Sequence, residues 1–255
     1  MTKSLKNIKK IILVGHDNEG SAQLFEEIYS KFPDVEFFIV ICQGLYYKKT
    51  FIQSVMKLFR EASWLFCAYR AFELVRYRLF SESLVQKCKR NNLKIHFTND
   101  INSEGTCALL TEQAPDLIVS LYTMQIYKAP VITIPKYGLI SSHPSLLPAY
   151  RGLEVFFWVL ANNEPYTGVS VFFVTPQVDE GKVFEQTKID LKESISVQKL
   201  YHQVTIIAGK LLVQGIRDID NETVIYIPSV EKKSYYPMPT RKSMFNFFKN
   251  KKKFY

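Results

Sequence analysis

Residues 8–42 narrow the fold more than any other stretch of this chain. The apolar run Ile11-Ile12-Leu13-Val14 stops at Gly15, and a polar turn fills 15–21. A helical period follows over 22–32, with Leu24, Phe25, Ile28 and Tyr29 on one face. Pro33-Asp34 breaks that helix, and a second apolar run occupies 35–42. Strand, loop, helix and strand in this order predict an α/β domain with a Rossmann-like, mostly parallel sheet and helices on both faces.

The later segments extend the pattern. Strands are expected at 93–97, 116–121, 137–141, 168–174 and 183–189, with an edge strand at 223–227. Helices are expected at 82–91, 104–113, 154–162 and 196–217, and a turn region at 130–135. Residues 45–80 exceed a minimal unit and read as a helical insert after the second strand, mixing large apolar residues with Lys and Arg. Three roles stay open for it: packing against the body or a sister subunit, a lid, or peripheral membrane contact. The main domain is expected to span 1–230, and 231–255 to form a short basic C-terminal extension. Removing that extension is expected to leave cofactor binding intact.

Charge and cysteine content exclude several classes. The net charge is +9, and residues 231–255 hold eight Lys and Arg against Glu231 alone, so the rest is close to balanced. Cys42, Cys67, Cys88 and Cys107 are scattered without a short-spaced pair, which fits neither a zinc centre nor a disulfide framework. No metal site is expected. No apolar run reaches the roughly 20 residues of a membrane span, and the basic, polar start lacks a signal-peptide pattern. These features predict a cytoplasmic protein without stable membrane insertion.

One loop stands apart: Ser141-Ser142-His143-Pro144-Ser145-Leu146-Leu147-Pro148-Ala149-Tyr150-Arg151-Gly152. Downstream lie Thr167-Gly168-Val169-Ser170-Val171 and then Val178-Asp179-Glu180-Gly181, with Asp179 placed 36 positions after His143. The two elements in this order and spacing resemble the 10-formyltetrahydrofolate-dependent formyltransferases. That family's loop reads Asn-x-His-x-Ser-Leu-Leu-Pro and its second motif ends in Asp-x-Gly. The likeness covers roughly residues 85 to 215. His143 and Asp179 match the catalytic His and Asp, and Ser141 stands at the Asn position.

The resemblance implies formyl transfer from 10-formyltetrahydrofolate to an amine. His143 would act on the formyl oxygen or relay the amine proton, Asp179 would orient it, and Ser141 would supply a hydroxyl where the family has an amide. The folate would lie against Met124, Gln125, Ile126 and Tyr127, with Val178 and Gly181 along its formyl-bearing end. Arg151 and Gly152 would border the acceptor, and Gly20 and Ser21 match an anion-holding turn at a helix start. The expected partners are folate and a small-molecule amine, such as an amino sugar linked to a nucleotide; homodimer formation stays open and nucleic acid is not expected. The alternatives are a catalytically impaired folate-binding protein of the same fold, a phosphoribosylglycinamide formyltransferase, and a formyltetrahydrofolate hydrolase.

Overall fold

The computed structural model describes residues 4–43, 52–53, 56, 59–60, 62–192 and 194–255. The rest of the expected 45–80 insert lies outside the described residues.

Strands β1 (Lys10–Gly15), β2 (Glu36–Cys42), β3 (Lys94–Thr98), β4 (Leu117–Leu121) and β5 (Leu139–His143) run parallel, while β7 (Tyr166–Phe173) and β8 (Val183–Asp190) are antiparallel additions. The sheet order is β3-β2-β1-β4-β5-β7-β8. A second, two-stranded sheet pairs β6 (Arg151–Gly152) with β9 (Tyr235–Tyr236).

Successive strand residues feed opposite cores, as pleating requires. Ile11 and Leu13 join one cluster with Leu24, Phe25 and Ile28 of α1 (Glu19–Lys31) and with Leu200, Val204 and Leu212 of a long helix at Val197–Asp220. Ile12 and Val14 join the other, with Leu110 of the helix Glu104–Gln113 and Val131 of the short helix Ala129–Ile132. Burial on both faces explains the unbroken apolar runs of β1, β2 and β4. In chain order the remaining helices are α2 (Trp64–Phe80), α3 (Leu84–Arg90), α6 (Val155–Ala161) and α8 (Arg241–Lys249); the three already placed are α4, α5 and α7.

Three expectations change. The 130–135 region contains α5 rather than only a turn, with Pro at the helix start where its missing N–H costs nothing. Residues 223–227 form no strand; Ile227 N donates to Val183 O at 2.8 Å, and the following Pro228 has no amide to extend a ladder. His143 is the last residue of β5 and not a loop residue, because β7 pairs as far as His143↔Ser170.

The C-terminal segment is folded onto the body. Phe247 of α8 is fully buried against Phe157 of α6, with ring centroids 5.0 Å apart. Phe254 stacks on Tyr69 of α2 at 4.0 Å and on Phe247 at 4.8 Å, so the chain end closes an aromatic cluster.

Candidate functional site

The strand β5 sets the first group. Residues alternate across it, so Ser141 and His143 share one face and Ser142 takes the other. Ser142 is buried and its hydroxyl lacks a hydrogen-bond partner among the described residues. Ser141 is half-buried, opposite Ser120 of β4 and Phe172 of β7.

The loop after His143 rests on β7. Ser170 Oγ donates to Ser145 O at 2.7 Å, and it accepts from Leu147 N at 2.9 Å and Gln186 Nε2 at 2.8 Å. A Cβ on Gly168 would lie 2.3 Å from the Leu146 side chain, so glycine there makes room for the loop. The Gly-Val-Ser motif is therefore the floor of the Ser-Leu-Leu-Pro turn. Their joint occurrence in the sequence has a packing cause.

The turn returns a carbonyl to the histidine. Tyr150 adopts φ +55° and its C=O accepts from His143 Nε2 at 2.8 Å. A carbonyl only accepts, so Nε2 carries a proton. The other ring nitrogen, Nδ1, stands 3.6 Å from Asp179 Oδ2. That edge can gain or lose a proton while the Tyr150 bond holds the ring.

Asp179 arrives on a loop with a closed neck. Phe173 N bonds Lys182 O at 3.1 Å, and a Cβ on Gly181 would fall 1.7 Å from Phe173 O. Only glycine passes that neck. At the tip Asp179 sits at φ +52°, a region that Asp tolerates better than most residues. Its Oδ2 accepts the Gly152 amide at 3.0 Å. Arg151 Nη1 pairs with Glu180 and lies 3.4 Å from Val178 O, and Lys233 Nζ reaches the same Glu180 oxygen at 2.9 Å. Hydrogen bonding by Lys233, then by Arg151, holds the Glu180 carboxyl below its ordinary value. Arg151 and Gly152 thus clamp the Asp179 loop.

The C-terminal segment frames this clamp, which the sequence reading missed. Ser234 Oγ accepts from Tyr150 N at 2.8 Å, Ser234 O accepts from Arg151 N at 3.1 Å, and Tyr236 O accepts from Leu153 N at 2.9 Å. Tyr236 stacks on Tyr150 at 4.6 Å. The extension is therefore bonded to the turn that follows His143 and not free-standing.

The β4–α5 loop contains the four residues expected at the cofactor. Gln125 is buried, accepting from Ile101 N at 2.8 Å and donating to Asn99 O at 2.9 Å, and Tyr127 is buried in the second core. Ile126 is 57% exposed, and Val178 on the Asp179 loop is 37% exposed. The loop is anchored by a residue outside the expected set. His16, just past β1, places Nδ1 2.6 Å from Cys42 O and accepts the Met124 amide on Nε2 at 3.1 Å. Burial lowers its pKa, which keeps the ring neutral in this bridging role. A lone His after a strand carries no pattern that would reveal it.

Gly20 and Ser21 point elsewhere. Both are buried; Ser21 Oγ donates to Leu121 O at 2.5 Å, and the Gly20 backbone bonds the Tyr201 hydroxyl. A Cβ on Gly20 would meet Tyr201 at 2.2 Å and Tyr122 at 2.6 Å. Two tyrosines therefore cover the turn where an anion was expected. Among the described residues no cluster of three or more His, Cys, Asp or Glu could hold a metal.

Known proteins are similar to this chain in sequence and in fold. The model of the formyl transferase family matches residues 77–216. The bifunctional polymyxin resistance protein ArnA of Wigglesworthia glossinidia brevipalpis is 32% identical over 127 residues, half of this chain and 19% of that protein. The methionyl-tRNA formyltransferase of Acetivibrio thermocellus is 26% identical over 150 residues, 58% of this chain and 48% of that protein. The chain thus spans less than half the length of either curated relative. The N-formyltransferase of Helicobacter canadensis, solved with folinic acid and dTDP-3-aminofucose, has a TM-score of 0.58 at 18% identity, covering 92% of this chain and 72% of that one. With the family model spanning more than half of its residues, this chain belongs to the formyl transferase family.

Proposed function

We propose that this chain is a cytoplasmic N-formyltransferase that moves the formyl group of 10-formyltetrahydrofolate to the amine of a small molecule, in particular a nucleotide-linked amino sugar. The convergence of His143 Nδ1 and Asp179 Oδ2 at 3.6 Å carries the reading. The formyl transferase family model and the methionyl-tRNA formyltransferase relative support the reaction, and the Helicobacter protein's ligands support the donor and acceptor classes.

Bound formyl-folate supplies an electrophilic carbonyl carbon. In the transfer the amine gives up one proton and the folate nitrogen gains one, so the site needs a group that moves a proton at fixed geometry. The Nδ1–Asp179 edge is such a group, since the Tyr150 carbonyl holds Nε2 and fixes the ring. Ser141, on the same strand face, offers a short hydroxyl donor toward the formyl oxygen. Ile126 and Val178 leave aliphatic surface on the two loops nearest this face, which suits a flat ring. Gln125 and Tyr127 hold that loop from within. The burial of Gly20 and Ser21 beneath Tyr122 and Tyr201 disfavours an acceptor phosphate there, and with it the phosphoribosylglycinamide reading.

The test is formyl transfer by the purified chain to nucleotide amino sugars. His143→Ala should lower the rate about 100- to 10,000-fold with the fold retained. Transfer at the unmodified rate in that variant would sink the assignment. Ser141 also supports a second reading, an impaired folate-binding protein. A near-zero basal rate that rises strongly in Ser141→Asn would favour it, whereas a loss of rate would show a site adapted to serine.

A further inference from the structure

Helix α2 buries Phe66 and Cys67 on its inner side and, unusually, an ion pair beside them: Arg76 pairs with Glu19 of α1 and has Nε 3.5 Å from Glu73, whose side chain is 11% exposed. Tyr77 on the same side donates to Asp17 Oδ1 at 3.1 Å. The opposite face carries Trp64, Phe72, Leu74, Val75 and Leu79, from 46% to 69% exposed. A surface helix of a globular protein normally turns a polar face to solvent. Ile52, Met56 and Phe59 of the preceding described positions are exposed as well. A contiguous apolar face of this kind marks a contact surface.

Cations border it. Arg78 lies on the exposed side of α2. The rings of Phe254 and Tyr255 pack on Tyr69 and Phe72, at 4.0 Å and 5.5 Å, and bring the end of the chain against this helix, with Lys251, Lys252 and Lys253 just before it in sequence. In sequence, residues 45–80 hold seven Lys and Arg against two acids, and 231–255 hold eight against one; of these, Arg76 and Lys233 are taken up by Glu19 and Glu180. In an isologous dimer the same patch meets itself, so these cations would oppose one another. An anionic bilayer surface complements both features, apolar side chains entering the acyl boundary and Lys and Arg meeting headgroups. Among the described residues no helix is long and apolar enough to cross a membrane, so the helix would lie on the surface.

We infer that the outward face of α2, with the adjoining basic chain end, docks this protein on an anionic membrane surface. The full chain is mixed with vesicles of phosphatidylcholine alone or phosphatidylcholine with phosphatidylglycerol and then sedimented. It should pellet with the anionic vesicles, less as salt rises, and the bound-to-free ratio should fall more than about tenfold in Trp64→Ser/Leu79→Gln. Lys251→Ala/Lys252→Ala/Lys253→Ala should weaken binding and flatten its salt dependence. Failure to pellet, or equal pelleting with both vesicle types, overturns the inference. So does a concentration-dependent dimer in sedimentation velocity that the α2 variant abolishes while vesicle behaviour stays the same. Loss of folding in that variant would also overturn it, by showing the face to be packed against the chain itself. None of these readouts involves formyl transfer.

Discussion

The Gly152 amide donates to Asp179 Oδ2 at 3.0 Å, joining two motifs 27 residues apart. Gly152 sits at φ +100°, and a Cβ there would lie 2.4 Å from Tyr236 O. One glycine therefore orients the carboxylate in front and admits β9 behind. Gly152→Ala should lose about 1–3 kcal/mol of stability from backbone strain. Its larger effect should be on turnover, at least about 100-fold, because the clash with Tyr236 O displaces the amide that anchors Asp179. Urea unfolding and initial rates measure the two effects, and a fully active Gly152→Ala would show that the clamp is dispensable.

Ser170 has a similar double role at the loop floor. Its hydroxyl ties Ser145 O, Leu147 N and Gln186 Nε2 in a fully buried position. Ser170→Ala strands these groups and should cost about 2–4 kcal/mol, since each buried unpaired group costs roughly 1–3 kcal/mol with partial relaxation. Adding Gln186→Leu removes one stranded partner, so the double variant should be less destabilised than the two single losses combined. Strict additivity in a double-mutant cycle would mean that the two side chains are not coupled.

The C-terminal segment should behave as part of the body. Phe247 is fully buried among Phe157, Phe248 and Phe254, so Phe247→Ala should cost about 3–5 kcal/mol. Truncation after Val230 removes that cluster and the Ser234 and Tyr236 bonds to residues 150–153 as well. The truncated chain should bind formyl-folate more weakly and melt at a lower temperature. Unchanged folate affinity, measured by calorimetry, would restore the view of 231–255 as a separate appendage.

The sequence reveals those features that have a local period or a compact motif. The unbroken apolar runs of β1, β2 and β4, the α1 and α7 periods, and the His143 and Asp179 motifs are all of this kind. The clamp was hidden because β9 has two residues, too few for any period, and Ser234 meets Tyr150 across 84 residues of chain. Helix α2 shows the limit of periodicity from another side. A helical pattern separates apolar from charged residues without stating which set faces inward, and Glu19 and Asp17 of a distant segment draw Arg76 and Tyr77 beneath the helix. His16 was hidden for a third reason: its partners are backbone groups, which leave no trace in residue identity.

His16 makes stability pH-dependent in a predictable direction. The ring is buried, bridging Cys42 O and Met124 N, and burial lowers its pKa. A histidine with a depressed folded pKa lends stability that is fully present above its unfolded value of about 6.5 and is lost as pH falls through the folded value. Between those two values the unfolded chain binds a proton that the folded one resists, and protonation of Nε2 would also break the Met124 bond. The urea midpoint should therefore fall between about pH 7 and pH 5, and fall less in His16→Gln, which has no ionisable ring. The variant should start lower at pH 7, because Met124 N loses its imidazole acceptor, and its folate affinity should drop as the 122–127 loop loosens. Parallel midpoint curves for the two proteins would show that His16 does not set the acid limb.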